Sequence, residues 1–194
     1  MNYSRYKLVR DIALEILIQE NIRELPVKPI ALSRSMGIEA VYDENTHGKA
    51  DGYCTILQGV SYIAIDPEIN RQQRRFTVAH ELGHLLLGHI DPDYITIFRG
   101  YNEINKSMEM EADLFAAILL APPCVLQSLE IYDAAEIMNL CDCEFEEAES
   151  YAEYIKKLAS KKSAALPLES IVLEQFQDFI NSRRGVMTEK RTSA

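Results

Sequence analysis

The chain has no run approaching the roughly 18 consecutive apolar residues of a membrane span. Its opening stretch, Met1–Arg10, lacks the apolar core of a signal peptide. A cytoplasmic chain with no membrane partner is therefore expected. Cysteine is sparse: Cys54, Cys124, Cys141 and Cys143 are scattered rather than spaced as a disulfide framework, which fits a reduced protein. A metal site built on Cys141 and Cys143 has no second pair to complete it. Internal repeats and low-complexity tracts are also missing. Basic residues are absent from residues 107–155, which hold 12 Asp/Glu and no Lys or Arg, a net −12. A segment so charged is repelled by a phosphate backbone, which argues against direct nucleic-acid binding there. It could attract a basic protein partner, or be no more than a solvated acidic face.

What is present is a 194-residue chain, 47% hydrophobic, with a formal charge of −10. That suffices for one domain with its own core, plus a small appendage. Residues 1–106 are nearly balanced at −2, and residues 156–194 carry +4.

Helical spacing of Tyr6, Val9, Ile12, Ala13, Ile16 and Leu17 predicts an amphipathic helix over residues 3–20. Leu25-Pro26-Val27-Lys28-Pro29 breaks it, and a short helix is expected from Ile30 to Met36, ended by Gly37. Three strands follow: Ile38–Tyr42, then Gly52–Leu57 and Val60–Ile65 joined as a hairpin at Gln58-Gly59. Asp66-Pro67 reads as the cap and first residue of a long helix reaching about Gly88.

That helix contains His80-Glu81-Leu82-Gly83-His84. Phe76, Val78, Ala79, Leu82 and Leu85–Leu87 make it apolar nearly all round, hence buried. Polar groups in such a helix are costly unless partnered. His80 and His84, one turn apart on one face, can bind a single zinc ion, and Glu81 beside them can take a proton from water activated by the metal. The bland alternative is a chance match of three positions on a core helix.

A catalytic zinc uses three protein ligands and leaves a fourth position open. The stretch Ser107–Leu120 reads as a helix that begins with three acids and ends at Pro122-Pro123. Glu109 and Asp113 share a face at a spacing of four, so Glu109 is assigned as the third ligand. Asp113 is assigned as the carboxylate that orients a ligand histidine. Glu111 is the alternative ligand. The three acids could also do no more than favour the helix dipole.

Arg75–Leu86 followed by Glu109–Pro122 resembles the ImmA/IrrE family of zinc metallopeptidases, over roughly residues 5–125. The resemblance implies a gluzincin-like fold and a metal held by His80, His84 and Glu109, with Glu81 as base. It also implies a bacterial protein linked to a phage, mobile element or stress response, cleaving a helix-turn-helix repressor. Many relatives have Asn where this chain has Asp113. In metalloproteases of this class an edge strand beside the motif helix often holds the substrate backbone, and the hairpin is the candidate. Tyr94, Tyr101 and His89 are candidates for stabilising an oxyanion.

The fold expected is α+β and zincin-like: mainly helical, with a small three-stranded antiparallel sheet beside the motif helix. Residues 1–123 form the metallopeptidase domain. Residues 124–160 form an acidic helical extension packed on it. Residues 161–194 supply a linker, an amphipathic helix and a flexible tail. The expected function is a zinc endopeptidase, with manganese as the alternative metal. A non-catalytic regulator that binds protein or DNA, and a toxin–antitoxin component, are the competing readings.

Overall fold

The computed structural model describes the backbone of residues 2–90, 103–160 and 166–192, and the side chains of residues 2–90, 106–160 and 166–185. Tyr94, Tyr101 and residues 161–165 of the expected linker lie outside the described residues. The fold is α+β and mainly helical. The chain divides into two compact units, Met1–Ala13 with Lys28–Leu120, and Leu14–Val27 with Ala121–Ala194.

Helix α1 spans Tyr3–Gln19 and α2 spans Pro29–Ser35, with Pro29 at its first position. Strands β1 (Glu39–Tyr42), β2 (Gly52–Leu57) and β3 (Val60–Ile65) form one sheet in the order β1-β3-β2. The hairpin forms as its sequence predicts. β2 and β3 run antiparallel from Leu57↔Val60 to Gly52↔Ile65, and Gln58 (φ 52°) and Gly59 (φ 80°) make the tight turn that positive φ at both positions permits.

One detail of the expected sheet is corrected: β1 pairs with β3 in parallel, from Glu39↔Tyr62 to Tyr42↔Ile65. The segment between β1 and β2, with its 3-10 turn at Glu44–Thr46, is too long for a tight hairpin. It leaves a gap beside β1 that β3 fills. The central place of β3 accounts for the burial of Ile63, Ala64 and Ile65, while β1 is almost wholly exposed.

Helix α3, Arg71–Leu86, packs against the sheet, α2 and the long helix α4, Glu103–Leu120. Its start differs from the expected Asp66-Pro67. Asp66 accepts a hydrogen bond from the Glu68 backbone at 2.8 Å and so makes a turn. The cap is Asn70, which accepts from Gln73 N–H at 2.9 Å while the Gln73 side chain accepts from Asn70 N–H at 3.1 Å. This reciprocal pair satisfies two otherwise orphaned donors, which a lone Asp cap does not. The core of this unit gathers Val78, Ala79 and Leu82 of α3, Ala112, Phe115 and Ala116 of α4, and Ile63 of β3, all with no exposed surface.

In the second unit, helices α5 (Pro123–Ser128), α6 (Ala134–Cys141), α7 (Phe145–Ala159) and α8 (Pro167–Gln175) bury Val125, Leu126, Ile137, Ile155 and Val172. The Gln175 side chain donates to the backbone oxygens of Leu17 (2.7 Å) and Ile22. All four cysteines are buried. The single helix predicted over Leu168–Ser182 is two, α8 and α9 (Gln177–Thr192), and the tail expected to lack structure continues α9. A helix nucleated by packing, here around buried Ile180, propagates at little cost per residue. Among the described residues no helix is long and apolar enough to cross a membrane.

Candidate metal centre and active site

The site lies in the first unit, where α3 and α4 meet. Gly83, between the two motif histidines, makes the close approach possible. A Cβ at Gly83 would stand 2.9 Å from Cδ1 and 3.2 Å from Cβ of Phe115, which is fully buried. With hydrogen there instead, α4 comes near enough for its first turns to reach the histidines of α3.

Three donor atoms converge. His80 Nε2 and His84 Nε2 are 3.0 Å apart. Glu109 Oε2 lies 3.1 Å from the first and 3.4 Å from the second. Ligand atoms of a tetrahedral centre with bonds of about 2.0–2.1 Å stand about 3.3–3.4 Å apart. The triangle needs to widen by about 0.3 Å along its shortest edge to seat such an ion. Two imidazoles and a carboxylate are a donor set that suits zinc, and these three residues could hold a metal ion. The Glu109 side chain is 45% exposed, so the site opens to solvent on that side.

The histidines are steadied from behind. His80 Nδ1 bonds Asp113 Oδ1 at 2.9 Å, an N–H donated to a carboxylate, which leaves Nε2 to face the triangle. His84 Nδ1 faces His89 Nδ1 at 3.0 Å. His89 Nε2 lies 3.1 Å from Glu111 Oε2. Glu111, almost completely buried, also receives both arms of the Arg5 guanidinium from α1, with Nε donating to Oε1 at 3.0 Å and Nη2 to Oε2. The Glu111 carboxylate is therefore turned to Arg5 and His89, while that of Glu109 is turned to the two motif histidines.

Electrostatics favour positive charge at the triangle. Burial pulls the His80 imidazole down, but hydrogen bonds to Asp113 and Glu109, with the charges of Glu81 and Asp113, push it up to about 9. The hydrogen bond from His80, with the His84 imidazole close by, holds the Glu109 carboxyl well below the usual carboxylate range against the effect of its burial. Without metal, a proton on His80 Nε2 serves as the cation between these groups. A divalent ion held by these residues would supply more charge than that proton. The Arg5 hydrogen bond, aided by His89 and opposed by burial, likewise holds Glu111 low.

Glu81 follows His80 on α3 and is partly exposed, close enough for its charge to act on that imidazole. Of the oxyanion candidates, His89 has its side chain 2% exposed and both ring nitrogens engaged, so it is turned inward. Sequence reasoning missed Arg5 entirely. It stands 106 positions from its partner, and no local spacing announces such a pair.

Comparison with known proteins agrees with the fold. No sequence among the curated proteins matches the chain. A solved structure described as a Mycobacterium tuberculosis transcriptional regulator is similar at a TM-score of 0.50 and 18% identity, over 75% of this chain and 48% of that one. The chain thus spans about half the length of that regulator, and at this identity the likeness is one of fold. The family model for peptidase M78, the IrrE N-terminal-like domain, matches residues 34–140, which include α3 and all the acids of the site. With more than half its length so matched, and with a metallopeptidase-like fold around the HELGH helix, the chain belongs to the M78 peptidase family of IrrE N-terminal-like domains.

Proposed function

We propose that the chain is a zinc-dependent endopeptidase whose metal is held by His80, His84 and Glu109, with Glu81 as the general base and Asp113 orienting His80. The observation that carries this reading is the convergence of two imidazole nitrogens and one carboxylate oxygen within 3.4 Å of one another, one residue along the helix from an unspent glutamate. A zinc ion held there would supply Lewis acidity, which lowers the pKa of a water to about 7 and polarises a carbonyl. Glu81 takes the proton of the attacking water and returns it to the leaving amine. Asp113 holds the His80 ring in the tautomer that presents Nε2. Strands β1 and β2 flank β3 as the edges of the sheet, and an edge strand of this sheet would hold the substrate backbone in extended form. Manganese is the alternative metal.

The substrate proposed is a helix-turn-helix repressor of a phage, mobile element or stress response, in keeping with the family. The basic face such a protein offers DNA would complement the acidic segment at residues 107–155. A second reading, a non-catalytic metal-binding regulator, takes support from the description of the similar Mycobacterium tuberculosis structure as a transcriptional regulator. It leaves Glu81 without a task.

The deciding experiment incubates purified protein with a repressor encoded beside it, with zinc or with chelator, alongside Glu81→Gln. Cleavage by the zinc-loaded wild type is expected, with loss of about 10²–10⁴-fold in Glu81→Gln. Cleavage that survives chelation or Glu81→Gln would remove the mechanism. A repressor bound but left intact by every form would favour the regulator.

A further inference from the structure

His84 and His80 are steadied in different ways. His80 has a carboxylate on its far nitrogen, whereas His84 has a second imidazole, His89 Nδ1, at 3.0 Å. Only one proton fits between those two nitrogens, so one ring donates and the other accepts. The other nitrogen of His89 lies 3.1 Å from Glu111, whose carboxylate is ion-paired with Arg5 and can only accept. His89 must therefore spend its N–H on Glu111. In the neutral ring this leaves Nδ1 as a lone pair, and His84 becomes the donor of the bond between them. Its Nε2 is then stripped of hydrogen and aimed at His80 Nε2 and Glu109 Oε2.

We propose that His89 is a positioning residue that fixes the tautomer of His84, and that Glu111 and Arg5 complete the relay by fixing His89. The inference rests on the reading of His84 as a metal ligand. The relay ties three separate elements together: α1 supplies Arg5, α4 supplies Glu111, and the turn after α3 supplies His89. It is buried over His84, His89 and Glu111, where bulk water cannot replace a lost partner, and only Arg5 is well exposed. The turn itself helps to aim the ring, since Gly88 adopts φ 70° and His89 N–H donates to the His84 backbone oxygen at 2.9 Å. A neutral imidazole backed by an ion pair passes on part of the pull of a carboxylate without placing a second anion directly behind the metal.

Two measurements test this. Zinc affinity is read by competition with a chelating indicator for the wild type, His89→Ala and His89→Gln. Loss of a group that orients a ligand lowers metal affinity by about 10–100-fold, and that is expected for His89→Ala. The Gln amide carries a carbonyl oxygen that can accept from His84 and an NH2 that can donate to Glu111, so His89→Gln should regain at least half of the loss on a logarithmic scale. A merely space-filling role predicts no such recovery. In case His89→Ala fails to fold, the ring nitrogens of the zinc-loaded wild type are read by 15N NMR. His84 should show a protonated Nδ1, and His89 a protonated Nε2 with a bare Nδ1. A bare His84 Nδ1, a doubly protonated His89, or zinc binding by His89→Ala as tight as the wild type would overturn the relay while the metal site stands. A wild type that takes up no zinc would overturn the metal site itself, and the relay with it.

Discussion

Gly83→Ala puts the geometry of the helix pair to a quantitative test. In an ordinary helix this change is favourable by about 1 kcal/mol, because alanine loses less backbone entropy than glycine. Here the new methyl would stand 2.9 Å and 3.2 Å from Phe115 carbons, where carbon contacts normally lie at about 3.5–4.0 Å. Phe115 has no exposed surface, so its ring has nowhere to swing. The helices must part by about half an ångström or the ring must leave its rotamer, at a cost of about 1–3 kcal/mol. A net loss of about 1 kcal/mol is expected in urea unfolding of the metal-free protein, set by the overpacking term less the propensity gain. The same displacement stretches the 2.9 Å bond from His80 to Asp113 and draws Glu109 away from both histidines. Zinc affinity should fall about tenfold or more. Phe115→Leu in the same chain should relieve part of the clash, giving a coupling of at least about 0.5 kcal/mol. A Gly83→Ala protein that gains stability and keeps its zinc affinity would refute the close-approach argument.

Further outcomes follow from the charges and caps. Asp113 and Glu109 push the His80 imidazole of the metal-free site up to about 9, so zinc binding there would displace a proton across the neutral range. Apparent affinity should rise about tenfold per pH unit and level off only near that value, and an affinity already flat above pH 7 would contradict the shift. The sign for stability is opposite: with a folded pKa above the unfolded one, the metal-free protein draws stability from His80 that is complete below about 6.5 and lost as pH rises through about 9, visible in pH-dependent urea midpoints. Asp113→Ala should weaken zinc binding about 10–100-fold by freeing the His80 ring, whereas Asp113→Asn keeps an acceptor and should lose less in the same competition assay. Asn70→Ala removes half of the α3 capping box and should cost about 1 kcal/mol of unfolding free energy.

Most helices were legible because their apolar residues recur at the helical period and their breakers are prolines and glycines, whereas the break between α8 and α9 falls at Phe176, with neither. The hairpin was legible because Gln58-Gly59 separates two apolar runs. Pairing between strands that are not consecutive left no such mark. The one hint was the unbroken burial-prone run Ile63-Ala64-Ile65, which suits a central strand better than an edge. The α3 cap was misplaced because Asp66-Pro67 is a cap signature by composition, and only geometry reveals that Asn70 and Gln73 satisfy each other. At the site, the HELGH spacing and the Glu109/Asp113 spacing are local helical facts and so appear in sequence. Arg5, Glu111 and His89 meet only through packing of three elements, and an ion pair made between separate elements has no period to read.

X-ray absorption at the zinc edge of the loaded protein reads the ligands of the metal themselves. A four-coordinate centre is expected, with two imidazole nitrogens and light-atom oxygens at about 2.0–2.1 Å, losing one imidazole in His84→Ala. A sulfur shell at about 2.3 Å, or a spectrum unchanged by His84→Ala, would place the metal elsewhere and contradict it.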